Sequence, residues 1–133
     1  MYQLFVEDHV DAAHYLPSYR GKCENLHGHR FRVVARVEAA ELDAGGLAYD
    51  FARLKEHLRE VLARFDHVCL NEVAPLDRVG PSSENIAAVI YDALQSRLSE
   101  APVRLVSVEV WESPTTGVAY SPRANPGVQE AAG

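Results

Sequence analysis

His27-Gly28-His29-Arg30-Phe31-Arg32-Val33-Val34-Ala35-Arg36-Val37-Glu38 reads as a β-strand. Phe31, Val33, Ala35 and Val37 alternate with Arg32, Val34, Arg36 and Glu38, and a period of two sends one set to each face of a sheet. The strand opens on two imidazoles two residues apart. If extended, they share a face and stand about 7 Å apart along the strand. Gly28 between them carries no side chain, so backbone or ligand can approach closely.

Upstream, residues 2 to 14 read as another strand, with Tyr2, Leu4, Phe5 and Val6 at its start and an imperfect alternation after them. Residues 15 to 26 form a loop marked by Pro17, Ser18 and Gly21. The two strands pair as a hairpin, and its long loop carries Cys23. Such a loop folds His14 back toward His27 and His29. Three neutral imidazoles with no fourth protein ligand are the pattern of a catalytic zinc, whose open position takes water or substrate. A His-x-His pair alone is often incidental; His14 and a nearby Cys strengthen the metal reading.

Downstream, residues 39 to 49 are a connection turning at Gly45-Gly46. Asp50 caps a helix that runs to about residue 64, with Phe51, Leu54, Leu58, Val61, Leu62 and Phe65 as one apolar stripe. Leu70 to Gly80 reads as a loop. Ser82 or Ser83 caps a second helix from Glu84 to about Leu98, striped by Ile86, Val89, Ile90, Ala93, Leu94 and Leu98. Pro102 opens a third strand, Val103 to Trp111, with Val103, Leu105 and Ser107 set against Arg104, Val106 and Val108. A turn through Ser113-Pro114-Thr115-Thr116-Gly117 leads to a short strand, Val118 to Tyr120. Residues 123 to 133 lack periodicity and are expected to be a mobile tail.

The order ββααββ predicts an α+β domain over residues 1 to 122: a four-stranded antiparallel sheet with two helices on one face. Its two open edges must be covered or paired, and pairing them between subunits would close a barrel. A homo-oligomer is therefore expected. A chain of 133 residues makes one domain that needs no disulfide to hold its core. The net charge of −6 argues against nucleic acid as a partner. No stretch has the length of a membrane span, the first residues lack the marks of a signal peptide, and two cysteines make no disulfide framework. A cytoplasmic protein is expected.

The motifs Asp11-Ala12-Ala13-His14, Cys23-x-x-x-His27-Gly28-His29, Gly46 to Lys55 around Asp50-Phe51, Phe65-Asp66-His67-Val68-Cys69-Leu70-Asn71-Glu72, Pro81-Ser82-Ser83-Glu84-Asn85-Ile86-Ala87 and Val108-Glu109-Val110-Trp111-Glu112 occur in one order. Together the chain resembles the 6-pyruvoyl-tetrahydropterin synthase and 6-carboxy-tetrahydropterin synthase family over about residues 3 to 122. The resemblance implies the tunnelling fold, in which three subunits close a barrel and two trimers stack as a hexamer. It implies 7,8-dihydroneopterin triphosphate as substrate and Zn2+ on His14, His27 and His29, acting as a Lewis acid. It makes Cys23 the general base and Asp66 with His67 a proton relay. It makes Glu112 the pterin anchor, taking two parallel hydrogen bonds from the amino group and ring N–H. Ser82, Ser83 and Glu84 match a second pterin-contacting segment.

Each role has a plainer counterpart. Asp66 reads equally as a helix-end residue and His67 as a cation near a helix C-terminus. Ser82 or Ser83 reads as a helix cap, and Glu112 as a strand-end residue. Glu109 is a second candidate acid on the same strand, with a poorer fit to the motif. Cys69, between Val68 and Leu70, reads as core. Arg20, Lys22, Arg30 and Lys55 are cations near the mapped site without an assigned role.

Two branches differ in product. One eliminates triphosphate to give 6-pyruvoyl-tetrahydropterin. The other also cleaves the side chain, releasing acetaldehyde and giving 6-carboxy-5,6,7,8-tetrahydropterin, a precursor of the deazapurine of queuosine. The spacing of Cys23 and His27 resembles the carboxy branch. A third branch, acting on the aldol bond, usually has Glu where Cys23 stands. Outside catalysis, a silent zinc- or pterin-binding paralogue keeps Glu112 but is expected to lose part of Cys23, Asp66 and His67. A zinc hydrolase would need a His-Glu-x-x-His helix, which the sequence lacks.

Overall fold

The alternation in the quoted stretch becomes one of the two inner strands of the sheet. In the computed structural model, which describes residues 1–17 and 25–122, β1 (Tyr2–His14) pairs antiparallel with β2 (His27–Ala39), from Tyr2 opposite Ala39 to His14 opposite His27. The helix α1 (Phe51–Leu62) follows, then a single 3-10 turn (Leu70–Glu72), the one-turn helix α2 (Leu76–Val79) and the long helix α3 (Ser83–Arg97). The strands β3 (Arg104–Ser113) and β4 (Thr116–Tyr120) complete an antiparallel sheet of order β1-β2-β3-β4. Cys23 and the segment 123–133 lie outside the described residues.

One face of the sheet carries the core. Phe31, Val33, Ala35 and Val37 of β2 are fully buried beneath α1 and α3. Leu54 and Leu58 of α1 and Ile90 and Leu94 of α3 are fully buried against them; hiding each such side chain stabilises the fold by about 1.5–3 kcal/mol. Asp50 caps α1 as expected, accepting from the Ala52 N–H at 2.9 Å. Phe51 departs from the expected stripe: at the first helical position it points to solvent and is 58% exposed.

Two irregularities matter. Arg36 pairs with Ser107 but Val37 pairs with Leu105, so Val106 is an extra residue in β3. Such a bulge reverses the alternation. Val108 and Val110 therefore join Leu105 in the core, and Ser107 does not. The Leu105 carbonyl beside the bulge accepts from the Tyr91 hydroxyl at 3.0 Å, which keeps this buried backbone group satisfied. The second shift falls between Trp111 and Ser113, at Glu112. The stretch expected to be a loop, Leu70 to Gly80, holds two short helical turns whose Leu70 and Leu76 plug the core. Four residues are too few to show a helical period.

β1 and β4 are the edges. Near its end β1 is met by the chain after α1: the Ala13 N–H donates to the Val68 carbonyl at 3.0 Å, and Ala13 bridges Cys69 in parallel. No helix among the described residues is long and apolar enough to cross a membrane.

Candidate metal centre and active site

β1 and β2 end together, and that end carries the three histidines. His14 lies directly opposite His27. His29, two residues along β2, shares their face. The ring centroids of His14 and His27 are 4.6 Å apart, those of His27 and His29 4.7 Å, and those of His14 and His29 5.2 Å. The potential ligand nitrogens all lie within 4.8 Å of one another. Phe31 forms the floor, its ring 5.2 Å from His14 and 5.3 Å from His29.

The backbone fixes which nitrogen His14 and His27 present. His14 Nδ1 lies 2.7 Å from the Pro81 carbonyl and His27 Nδ1 lies 2.7 Å from the Asn25 carbonyl. A carbonyl can only accept, so each Nδ1 carries the proton and each Nε2 keeps a free lone pair. The Nε2 atoms of His14 and His29 are buried without a hydrogen-bond partner. Orphaned lone pairs in a fully buried ring are costly, and a metal ion is the partner their chemistry fits. Burial pushes the His14 imidazole below its ordinary value, against the Pro81 hydrogen bond, and does the same to His29, against the charge of Glu112. Both shifts favour the neutral, ligating form.

Glu112 lies at the second register shift, and its charge acts on His14 and His29. Its Oε1 accepts from the Ser83 hydroxyl at 2.5 Å. Ser83, Glu84, Glu112 and Thr116 border a small hollow of ≈ 170 Å³ along β4. Ser82 is the cap of α3, accepting from the Asn85 N–H at 3.1 Å, and it faces a different hollow, with Tyr15 and Asn71. The rival acid Glu109 is engaged elsewhere: it accepts from Arg36 Nε at 2.7 Å and from Trp111 Nε1 at 3.0 Å.

Asp66 and His67 form a second cluster. His67 Nδ1 lies 2.9 Å from Asp66 Oδ2. Neighbouring residues rarely face each other; here His67 adopts φ 57°, a left-handed turn that brings the ring back. The backbone of Asp11 clamps both: its N–H donates to Asp66 Oδ1 at 2.9 Å, and its carbonyl accepts from the His67 N–H at 2.6 Å. The N–H of Asp11, then the His67 ring, hold the Asp66 carboxyl below the usual carboxylate range. A hollow of ≈ 480 Å³ is bordered by Asp11, Ala13, Gly28, His29, His67 and Cys69. Gly28 and Ala13, paired across the strands, leave it open.

The sequence-predicted residues therefore fall into two groups. His14, His27, His29, Glu112 and Ser83 gather on the helix-covered side of the strand ends. Asp66 and His67 sit at the β1 edge beside Asp11. Cys69 corrects the expectation of a core residue: it is half-buried, borders the open hollow, and its Sγ lies 3.9 Å from Asn71 Oδ1. Arg30 is tied to Asp11. Sequence reasoning missed Asn71, whose side chain accepts from the Tyr15 N–H and donates to the Tyr15 carbonyl, each at 3.0 Å. Asn71 was in a recognised motif, but its backbone partner has no side-chain signal.

With that geometry in place, comparisons with known proteins are decisive. Residues 3–123 match the model of the family described as 6-pyruvoyl tetrahydropterin synthase. The chain is 40% identical to the 6-carboxy-5,6,7,8-tetrahydropterin synthase of Synechocystis sp., over 95% of this chain and 98% of that one. It is 34% identical to the protein of the same name from Bacillus subtilis, over 92% and 86%. The solved structure of Caenorhabditis elegans 6-pyruvoyl tetrahydropterin synthase superposes with a TM-score of 0.82 at 29% identity, covering 92% of this chain and 96% of that one. Fold, motif order and relatives agree: the chain belongs to the 6-pyruvoyl tetrahydropterin synthase family.

Proposed function

We propose that the chain is a zinc-dependent 6-carboxy-5,6,7,8-tetrahydropterin synthase. It takes 7,8-dihydroneopterin triphosphate and water to 6-carboxy-5,6,7,8-tetrahydropterin, acetaldehyde and triphosphate. The observation that carries this reading is the cluster of three imidazoles with buried, unpartnered Nε2 atoms on His14 and His29, in a chain 40% identical over 95% of its length to a protein of that name.

His14, His27 and His29 would hold the zinc, which supplies Lewis-acid polarisation of the substrate's side-chain oxygens. Glu112 accepts paired hydrogen bonds from the pterin amino group and ring N–H, and the Ser83 hydroxyl orients that carboxylate. Glu84 borders the same hollow, and Ser82 holds the helix start that presents it. Cys23, as thiolate, takes the side-chain proton. His67 moves a proton at the same carbon chain, and Asp66 fixes its tautomer through Nδ1.

The sheet edges support an oligomer. The outer edges of β4 and of most of β1 are unpaired in the described residues, and the edge residues Tyr2 and Phe5 are exposed, at 47% and 59%. Three copies joined at these edges close a barrel, and two such rings make the hexamer. The protein works in the cytoplasm, where its thiols stay reduced.

Mass spectrometry of the products, with an acetaldehyde assay, tests the reading on zinc-loaded protein. The 6-carboxy product with acetaldehyde is the expected result. A 6-pyruvoyl product would move the chain to the other branch. No turnover would favour a silent paralogue.

A further inference from the structure

The Asp66–His67 pair has neighbours that the proposed reaction does not yet use. The Asp11 carboxylate is gripped by both arms of Arg30: Nε lies 2.9 Å from Oδ1 and Nη2 lies 3.1 Å from Oδ2. The two residues lie opposite each other on β1 and β2. One carboxylate oxygen of Asp11, one of Asp66 and one ring nitrogen of His67 lie within 4.8 Å of one another. The imidazole thus has two carboxylates beside it, and one of them carries its own guanidinium.

We propose that Asp11 and Arg30 are positioning residues for His67: Arg30 holds the Asp11 carboxylate in place beside the ring and cancels its charge, leaving Asp66 to govern the imidazole. This rests on the reading of Asp66 and His67 as a proton relay. The charge count makes it specific. Asp11, Asp66 and Arg30 together place one net negative charge beside His67. Without Arg30 there are two; without the Asp11 charge there is none. Among the described residues, the other titratable groups nearby are His9, which acts on Asp11 along β1, and His29 and Cys69 across the hollow; none of them changes in the comparison below. A planar bidentate fork is the geometry that holds a carboxylate in one orientation.

The test uses four full-length, zinc-loaded proteins: the parent, Arg30→Gln, Asp11→Asn and the double variant. All substitutions are close in shape and leave the backbone clamp of Asp11 intact. Two readouts are taken against pH: the His67 ring resonance by NMR, and kcat. A purely structural role would move both single variants the same way. Instead, the two single variants should move the ring's response in opposite directions, Arg30→Gln toward higher pH and Asp11→Asn toward lower pH, because one removes a positive and the other a negative charge beside the ring. The double variant should return toward the parent. The limb of the kcat profile that follows His67 should move with the ring. Unmoved or same-direction NMR midpoints would overturn the inference. Opposite NMR shifts with an unmoved kcat profile would leave the charge pairing standing and overturn the relay reading instead.

Discussion

His14 Nδ1 donates to the Pro81 carbonyl at 2.7 Å, and this contact turns the other nitrogen of a fully buried ring toward His27 and His29. Pro81 directly precedes the cap of α3, so the start of that helix and the end of β1 are fixed to each other through the imidazole. His14→Ala should therefore do two things. It should release the metal, and it should destabilise the metal-free protein by about 1–3 kcal/mol, because the Pro81 carbonyl loses its donor in a buried place. Metal analysis and denaturant unfolding check the two separately. His27→Ala should release metal with a smaller stability loss, since His27 is less buried.

Burial holds His14 and His29 below their ordinary value, and this fixes the direction of a pH effect. In the unfolded chain these rings take up protons near pH 6.5; in the fold they resist. The unfolded state then binds more protons, and stability of the metal-free protein falls as pH drops through that value. The denaturation midpoint should decline from about pH 7 to about pH 5.5, before the carboxylates of Asp11, Asp66 and Glu109, all held low, begin to contribute near pH 4. A flat profile across the upper window would contradict the burial argument.

Glu112→Gln keeps the shape but loses the charge assigned above, as a proposal, to the pterin anchor. Hydrogen bonds to a charged partner contribute about 1.5–3 kcal/mol, so substrate affinity should fall by about one to two orders of magnitude. Ser83→Ala, which only frees the carboxylate to rotate, should cost less. Isothermal titration with a non-reacting pterin reads both. Equal binding by parent and Glu112→Gln would remove the anchor role.

His67 turns at φ 57°, a conformation that Asn tolerates and β-branched residues resist. His67→Asn should fold with nearly parental stability and lose turnover. His67→Val should lose about 1–2 kcal/mol as well. Chemical denaturation of the pair separates the two effects. Equal stability in both would mean that the turn relaxes without cost.

Much of the fold was legible. The period of two in Phe31 to Val37 and the three- and four-residue spacing in Leu54 to Phe65 each admit one regular structure, and the order of elements follows. What escaped has physical causes. The extra residues at Val106 and Glu112 leave no mark in composition, because a bulge is a matter of register between strands. Phe51 lies in the helical stripe by spacing, yet the first turn overhangs the sheet. The three histidines were readable because they flank one loop, at the end of β1 and the start of β2. The Asp66–His67 contact was not, since it depends on a single backbone angle. The carbonyls of Pro81 and Asn25 that orient the rings belong to no side chain at all.

X-ray absorption at the zinc edge reads the ligand set of the three-histidine centre. One zinc per chain is expected, bound by three imidazole nitrogens at about 2.0–2.1 Å with only light atoms completing the shell. Cys23→Ala should leave that spectrum unchanged while turnover is lost. A sulfur neighbour at about 2.3 Å, vanishing in Cys23→Ala, would contradict it: Cys23 would then be a ligand rather than the base, and the three-histidine centre would fail.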